Sequence, residues 1–421
     1  MIIRRTPVTE KQDFLSAAEL ICALSGVSAH IANDGTAPVS EAAGITPGDL
    51  LFFDIETTGL SADTSFLYLI GCMYLDNGEP VLSQFFSEGI GEEGMLIDEF
   101  DTLLASHPVP VHFNGATFDI PYLDKKRRRL GLPLQDMHGG GFDIFRALKP
   151  YKALLGTGSM SQKRLELYCG VDRRDMYDGG RLIEVYNRYI AMRRLETLRK
   201  NADSVYIANA SSGLTLAGPE SSDELLELLF LHNFEDVLYM PKVASLLALP
   251  AFIDGGYNVS SCEKTKEGEL IITLLPKYDT ADTALKGTHA CSCDPGSGIT
   301  LRAEPGRFEF VIPVMAGELK LFYPDYKNYF YLPAEDSAIH KSLGSFLNSS
   351  YRTKCKADNC YTRHTLEFIP LAGELGKKDA FPFRIFRRYF SDKYGYASLD
   401  EILGRPEFTE LYIRRLVENL K

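Results

Sequence analysis

The sequence predicts an α/β protein followed by a β-rich second domain, and three observations predict it. The first half orders its segments as three strands, a helix, a strand and a helix, then a weak strand and three more helices. Near Pro250 the texture changes to short β-branched and aromatic runs broken by Gly and Pro. A chain of 421 residues is also too long for one ordinary core. The boundaries read as an N-terminal helix and linker over 1–47, an α/β domain over 48–248, and a β-rich α+β domain with a helical C-terminus over 249–421.

Residues 8–25 repeat Phe14, Ala17, Leu20, Ile21 and Leu24 at helical spacing, with Gly26 as the stop. Residues 31–48 are small and polar and read as a linker. Leu50 to Glu56 is a buried strand. Phe66 to Leu75 and Val81 to Phe86 are two more, and Asn77-Gly78 marks the hairpin between them. A helix over 92–106 precedes a strand from Val109 to Phe113. Asn114-Gly115 turns the chain into a helix from about Thr117 to Leu130, which Gly131 stops. A weak strand near Phe142 to Phe145 follows, then helices over 161–169, 180–199 and 222–247. Ser221 and Glu224 stand at capping-box spacing at the start of the last helix. In the second half ELIITLL, GITLRAE, RFEFVIPV and ELKLFY read as strands, as does Tyr361 to Ile369. Ala338 to Leu347 reads as a helix, and so does the basic-aromatic stretch from about Phe383 (FRIFRRYF) to the C-terminus.

Composition bounds the function. The chain is 45% hydrophobic and 24% charged, with a net charge of −12 and a pI near 5.3. That argues against coating nucleic acid by bulk charge, while leaving room for a local groove. MIIRRTPVTEKQ has no apolar stretch behind its arginines, so it is no signal peptide. The run from Phe66 to Leu75 is far short of a membrane span. The expectation is a cytoplasmic protein, without a membrane partner, whose eight cysteines are reduced.

Four carboxylates and a histidine sit in three short motifs. Asp54 and Glu56 lie in LLFFDIETTGL, Asp119 in VHFNGATFDIPYL, and His232 and Asp236 in LHNFEDVLYM. In a strand, i and i+2 share a face, so Asp54 and Glu56 project together while Ile55 turns to the core. Two such acids repel unless a cation lies between them; taken alone, they also fit a solvated strand end. Thr57-Thr58-Gly59 turns tightly and puts the pair at the sheet rim, where α/β sites lie. Asp119 falls in the first turn of a helix, a place the dipole favours for any acid. Asn114 and Gly115 before it allow close backbone approach and offer hydrogen bonds to a ligand. His232 and Asp236 share one helical face, an arrangement also common on surfaces. The apolar LLELLFL before them favours a buried helix, in which an unpartnered Asp is costly.

Together the motifs resemble those of the DnaQ-like (DEDD) 3′–5′ exonuclease superfamily. DIETTG is close to its first motif. NGATFDIPYL looks like the second motif of the proofreading domains of family B DNA polymerases. HNFEDVLYM, with SQKRLELYCG earlier, looks more like the bacterial YprB-type branch. The resemblance covers roughly residues 48–248 and implies a ribonuclease-H-like mixed sheet flanked by helices. It implies that Asp54, Glu56, Asp119 and Asp236 bind two Mg²⁺ or Mn²⁺ ions roughly 4 Å apart and that His232 is the general base. The partner would be DNA or RNA with a single-stranded 3′ end, and the product a nucleoside 5′-monophosphate. Thr57, Thr58, Asn114, Phe118 and Lys163 are the expected substrate contacts. One departure stands: His232 precedes Asp236 by four residues, where histidine-type members have five. Tyr239 is the other candidate base. A non-catalytic nucleic-acid-binding protein and a metal-dependent endonuclease are the alternatives.

Weaker signals complete the reading. Lys125 to Arg129 (KKRRR) is either a solvated helix face or a contact to phosphates. Asp143 and Arg164 are further polar candidates near the cleft. Cys291, Cys293, Cys355 and Cys360, with His289 and His364, could hold zinc or be ordinary thiols. The stretch FYPDYKNYFYLP is either a stacking platform or a buried sheet with turns.

Overall fold

A computed structural model describes residues 1–31, 44–89, 91–135, 137, 141–177, 179–201, 221–278, 287–290, 298–376 and 381–420. It divides into two compact units, Met1–Pro250 and Ala251–Lys421.

The first unit is built on six strands: β1 (Ile2–Pro7), β2 (Leu50–Thr57), β3 (Leu67–Asp76), β4 (Glu79–Phe86), β5 (Val109–His112) and β6 (Phe142–Asp143). Its larger helices are α1 (Lys11–Ile31), α2 (Glu93–Ser106) and α3 (Asp119–Leu130). The short α4 (Ile144–Leu148) and α5 (Lys152–Leu155) lead to α6 (Gln162–Tyr168), α7 (Gly179–Asn201) and α8 (Ser222–Leu238). Two short helices, α9 (Met240–Ala244) and α10 (Ala248–Ile253), end the run.

The strand order is β1-β4-β3-β2-β5-β6. Strands β1 to β4 pair antiparallel, and β5 and β6 are parallel to β2 and to each other. This is a ribonuclease-H-like mixed sheet with helices on both faces. Leu51, Phe53 and Ile55 pack with Leu96, Ile97 and Phe100 of α2 and Tyr122 and Leu123 of α3. Tyr68, Leu69 and Phe86 pack with α7 and α8 through Leu182, Tyr189, Leu225, Leu229 and Phe230. Burial on both faces explains why β2 and β3 read as continuous apolar runs.

Several features differ from the sequence reading, the first being that α1 runs through Gly26, the expected stop, to Ile31. Ile2–Pro7 is an edge strand paired with β4. Its arginines are partly or fully exposed, as suits an edge, and their charge hid the strand. The KKRRR run is a solvated face only in part, because the helical repeat splits it and leaves Lys125, Arg128 and Arg129 exposed. Lys126 and Arg127 are buried: Lys126 Nζ lies 2.6 Å from Glu93 and from the Ser65 carbonyl, and Arg127 pairs with Asp101 and Asp124. Ser337–His340 is a strand, and only Lys341–Gly344 is helical, since β-branched Ile339 sits in a pairing run. FRIFRRYF forms a short strand at Phe386–Arg387 and a turn rather than a helix. By length and composition the helical run Ser222–Ile253 could cross a membrane, but 72% of its apolar window is buried inside the protein.

The second unit is β-rich. β7 (Tyr257–Lys264), β8 (Glu269–Pro276), β9 (Gly287–Ala290), β10 (Thr300–Glu304) and β11 (Arg307–Pro313) form a sheet of order β7-β8-β11-β10-β9. β12 (Met315–Phe322) begins a second group, followed by β13 (Tyr329–Leu332), β14 (Ser337–His340), α11 (Lys341–Gly344) and β15 (Thr353–Lys354). β16 (Tyr361–Pro370), β17 (Phe386–Arg387) and β18 (Tyr396–Ser398) close a small barrel with β12. Helices α12 (Leu399–Leu403) and α13 (Pro406–Glu418) finish the chain. Cys355 and Cys360 are buried beside Tyr323, Tyr326, Tyr329 and Tyr331. Burial and the neighbouring thiol push Cys360 up to about 12, so without a metal it is held as a thiol. Cys291 and Cys293 lie outside the described residues, as does the side chain of His289. His364 bonds Thr362 at 2.8 Å and stands edge-on to Phe386.

One glycine positions the site. Gly71 on β3 pairs with Asp54 on β2, and Asn233 of α8 lies directly over it. A Cβ there would collide with the Asn233 amide and stand 3.0 Å from Val237. Gly71→Ala is expected to lower stability by about 1–3 kcal/mol. The urea midpoint reads it, and an unchanged midpoint would contradict the packing.

Candidate active site

The β2 strand carries Asp54 and Glu56 toward α8, with Ile55 in the core between β2 and α2. The ladder slips by one residue on β3 just after Glu56, where Glu56 faces Leu69 and Thr57 faces Leu67. Such a bulge bends the strand end away from regular pairing. Thr57 Oγ1 donates to the Gly59 carbonyl at 2.9 Å, and Thr58 Oγ1 accepts from the Phe66 amide at 2.8 Å. Both hydroxyls therefore hold the turn.

The α3 side supplies Asp119. Asn114 adopts a left-handed conformation (φ 63°), and a 3-10 turn over Gly115–Thr117 leads into α3. The Asn114 amide donates to Asp143 Oδ1 at 3.0 Å. A Cβ on Gly115 would press on the Asp119 carboxylate and His112, so glycine is needed there. Phe118 rests against Tyr122, with ring centroids 5.5 Å apart, and packs on the core.

The α8 helix supplies the rest, starting from a Ser221 cap that accepts from the Glu224 amide at 3.2 Å. His232 Nε2 lies 3.0 Å from Asp236 Oδ2 and 3.6 Å from Glu56 Oε1. Glu56, His232 and Asp236 offer ligand atoms that all lie within 4.8 Å of one another. Glu56, His232 and Asp236 thus come together, with Asp54 and Asp119 near enough for their charges to act on the cluster, while Lys163 is turned to Asp175 and the Tyr177 carbonyl. The charged neighbours of Tyr239 are Glu235, Arg174, Glu10 and Arg173, so it lies toward the 173–175 loop, not the carboxylate cluster.

Sequence reasoning missed a second set of residues. His232 Nδ1 is 2.7 Å from Asp175 Oδ2. Arg173 Nη1 donates to Asp236 Oδ1 at 2.6 Å and to Glu166 Oε2 at 2.9 Å. Glu235, fully buried, accepts from the Asp175 amide at 2.9 Å and the Arg174 amide at 3.2 Å, which clamps this loop to α8. Asn233 Nδ2 reaches Asp54 Oδ2 at 3.3 Å and its Oδ1 accepts from Gln84 at 3.0 Å. The available signals were the charge-dense DRRD at 172–175 and the polar pair Asn233 and Glu235 inside an apolar helix.

Burial and crowding set the electrostatics. Burial first, then the charges of Glu56, Asp236 and Asp119, raise Asp54 well above the carboxylate range. Burial raises Glu56 to about 8, with His232 opposing. Burial also raises Asp119 to about 7 against hydrogen bonds from its own amide and that of Ile55. Burial disfavours a proton on His232, yet the bonds to Asp175 and Asp236 outweigh it and raise it to about 10. Asp236 stays below its usual value despite burial, because His232 and Arg173 hold it.

Asp54 and Asp119 have no Lys or Arg ion pair among the described residues. Buried acids that hold protons this tightly fit a hard divalent cation, which takes oxygen ligands. Asp143 Oδ2 is buried without a hydrogen-bond partner among the described residues and adds negative charge beside Asp119.

This sheet with acids at the end of its central strand defines a ribonuclease-H-like domain. A family model described as RNase_H_2, of the RNase_H superfamily, matches residues 51–203. That supports a nuclease-type function. Among solved structures the chain is similar to the family B DNA polymerase of the hyperthermophilic archaeon Pyrobaculum calidifontis, at 15% identity and TM-score 0.30. The match covers 68% of this chain and 35% of the polymerase. It is also similar to exonuclease I, at 13% identity and TM-score 0.21, over 88% of this chain and 69% of that one. No curated protein matches the chain.

Proposed function

We propose that the protein is a metal-dependent 3′–5′ exonuclease that hydrolyses DNA or RNA from a single-stranded 3′ end to nucleoside 5′-monophosphates. The observation that carries this is the convergence of acids from three separate motifs: Glu56 and Asp236 meet at Nε2 of His232, and Asp54 feels the charges of Glu56, Asp236 and Asp119. Asp54, Glu56, Asp119 and Asp236 would hold two Mg²⁺ or Mn²⁺ ions. When bound, the cations supply positive charge to the scissile phosphate and to the departing oxygen. In the metal-free site Asp236 and Glu56 hold a proton on His232; with those carboxylates engaged by cations, His232 would be released to take the proton of the attacking water at Nε2, the nitrogen on the carboxylate side. Asp175 bonds Nδ1, fixes the tautomer and balances the imidazolium that forms. Asn233 holds Asp54, and Arg173 restrains Asp236. Thr57 and Thr58 shape the turn beside the acids, and Lys163 acts through Asp175.

The test uses 5′-labelled single-stranded DNA and RNA oligonucleotides with Mn²⁺, Mg²⁺ or EDTA. The expected result is a metal-dependent ladder shortening from the 3′ end. Asp119→Ala should slow it at least about 10³-fold. Cleavage of closed circles would instead favour an endonuclease. Binding without cleavage would leave a nucleic-acid-binding protein.

A further inference from the structure

A cavity of about 760 Å³ lies in the C-terminal unit, walled among others by Phe322, Tyr323, Tyr326, Ile385, Arg387 and Phe390. Its volume is within the range of small-ligand sites. It forms where the ends of β12 and β17 meet, at the pairs Lys320–Arg387 and Leu321–Phe386. Phe322 is braced edge-on by Tyr361 at 5.2 Å and stands edge-on to Phe390 at 5.6 Å. Phe390 is 43% exposed.

The Arg387 guanidinium lies 5.3 Å from the Phe322 ring centre and 5.5 Å from that of Phe390. Nη1 donates to the Phe390 carbonyl at 2.9 Å. Nε is buried and has no hydrogen-bond partner among the described residues. Burial lowers this group's hold on its proton, with Asp392 opposing. The Asp392 carboxylate, in the same wall, accepts from the amides of Arg388 (3.1 Å) and Tyr389 (2.8 Å) and so faces its own turn. Shielded Nε is out of a ligand's reach, but Arg387 is only half-buried, lines the cavity and has no carboxylate ion pair among the described residues. An anion would supply that partner, and exposed ring surface beside it suits a planar heterocycle.

We propose that this cavity binds a nucleotide unit, with its base against Phe322 and Phe390 and its phosphate on Arg387. This rests on the nuclease reading for its biological sense, and it fits either a free nucleoside 5′-monophosphate or one nucleotide of a single strand. The full-length protein is irradiated in EDTA with 4-thiouridine 5′-monophosphate, or with an oligonucleotide carrying one 4-thiouridine, and the adduct is mapped by mass spectrometry. Adducts at Phe322, Tyr323 or Phe390 are expected. An adduct with the monophosphate assigns a free-nucleotide site, and one with the oligonucleotide alone assigns a strand contact; both support the proposal. Arg387→Gln and Phe390→Ala should each weaken binding of the cross-linking ligand about 5- to 100-fold, and Phe390→Tyr should restore it. No adduct at the cavity, with unchanged affinity in both variants, overturns it. Cleavage is blocked in EDTA, so failure here is distinct from failure of the ladder assay.

Discussion

Asp54→Asn is expected to abolish cleavage and, with metal removed, to make the protein more stable. Asp54 is the most crowded acid of the site: burial and three neighbouring carboxylates all oppose its charge. An amide of the same shape removes that cost and can still bond Asn233, which reaches Asp54 Oδ2 at 3.3 Å. The loss of activity should be at least about 10³-fold, because a cation ligand is gone. The melting temperature in EDTA should rise by a few degrees, as about 1–2 kcal/mol would give in a domain of this size. Mg²⁺ or Mn²⁺ should raise the melting temperature of the parent protein and much less that of the variant. A variant that cleaves normally, or is stabilised equally by metal, would sink the assignment.

The same groups set the pH dependence of metal-free stability. Glu56 and Asp119 hold protons in the folded state to about 8 and about 7, above their unfolded values. The folded state then binds more protons than the unfolded chain, so stability falls as pH rises through that window. His232, raised to about 10, acts in the same direction above its ordinary value. Asp175 and Asp236 are held low, and their contribution disappears only when pH falls below the ordinary carboxylate range. Stability in EDTA should therefore decline from about pH 5 upward, and stabilisation by added metal should grow over the same span. Denaturant midpoints at several pH values, with and without metal, read both.

The acids and the base were legible because they lie in short local patterns that periodicity can orient. A strand alternates faces, so Asp54 and Glu56 had to share one; a helix repeats every 3.6 residues, so His232 and Asp236 had to share another. What escaped was non-local. Nothing in DRRD at 172–175 says that Arg173 turns to Asp236 or that Asp175 meets His232, since the contacts span 63 and 57 residues. The KKRRR run was legible only in part, for the converse reason: its charge argued for solvent, yet Asp101 and Glu93, 26 and 33 positions before their partners, carry Arg127 and Lys126 into the interior. Gly71, inside an otherwise apolar strand, was a visible mark of close approach, though its partner Asn233 was not.

Asp175→Asn is the second large effect expected, and it separates a positioning role from a structural one. Asp175 is the sole described hydrogen-bond partner of His232 Nδ1, at 2.7 Å, and is itself held by Lys163 at 2.8 Å and Arg173 at 3.4 Å. An amide in its place can present either face to the ring, so the tautomer is no longer fixed, and it cannot balance an imidazolium. The value of kcat should fall about 10²- to 10⁴-fold, the range that general base catalysis contributes. Asp175 also raises the affinity of His232 for a proton, so its removal should move the acid limb of the kcat profile to lower pH. A base with weaker proton affinity is free at lower pH but drives proton transfer less well. A residue that only braced the loop would lower the whole profile without moving that limb. KM for a short oligonucleotide should change little, because Asp175 lies behind the ring, on the side away from Glu56 and Asp236. A limb that stays in place with kcat reduced would assign Asp175 to the fold and leave His232 without a partner in catalysis.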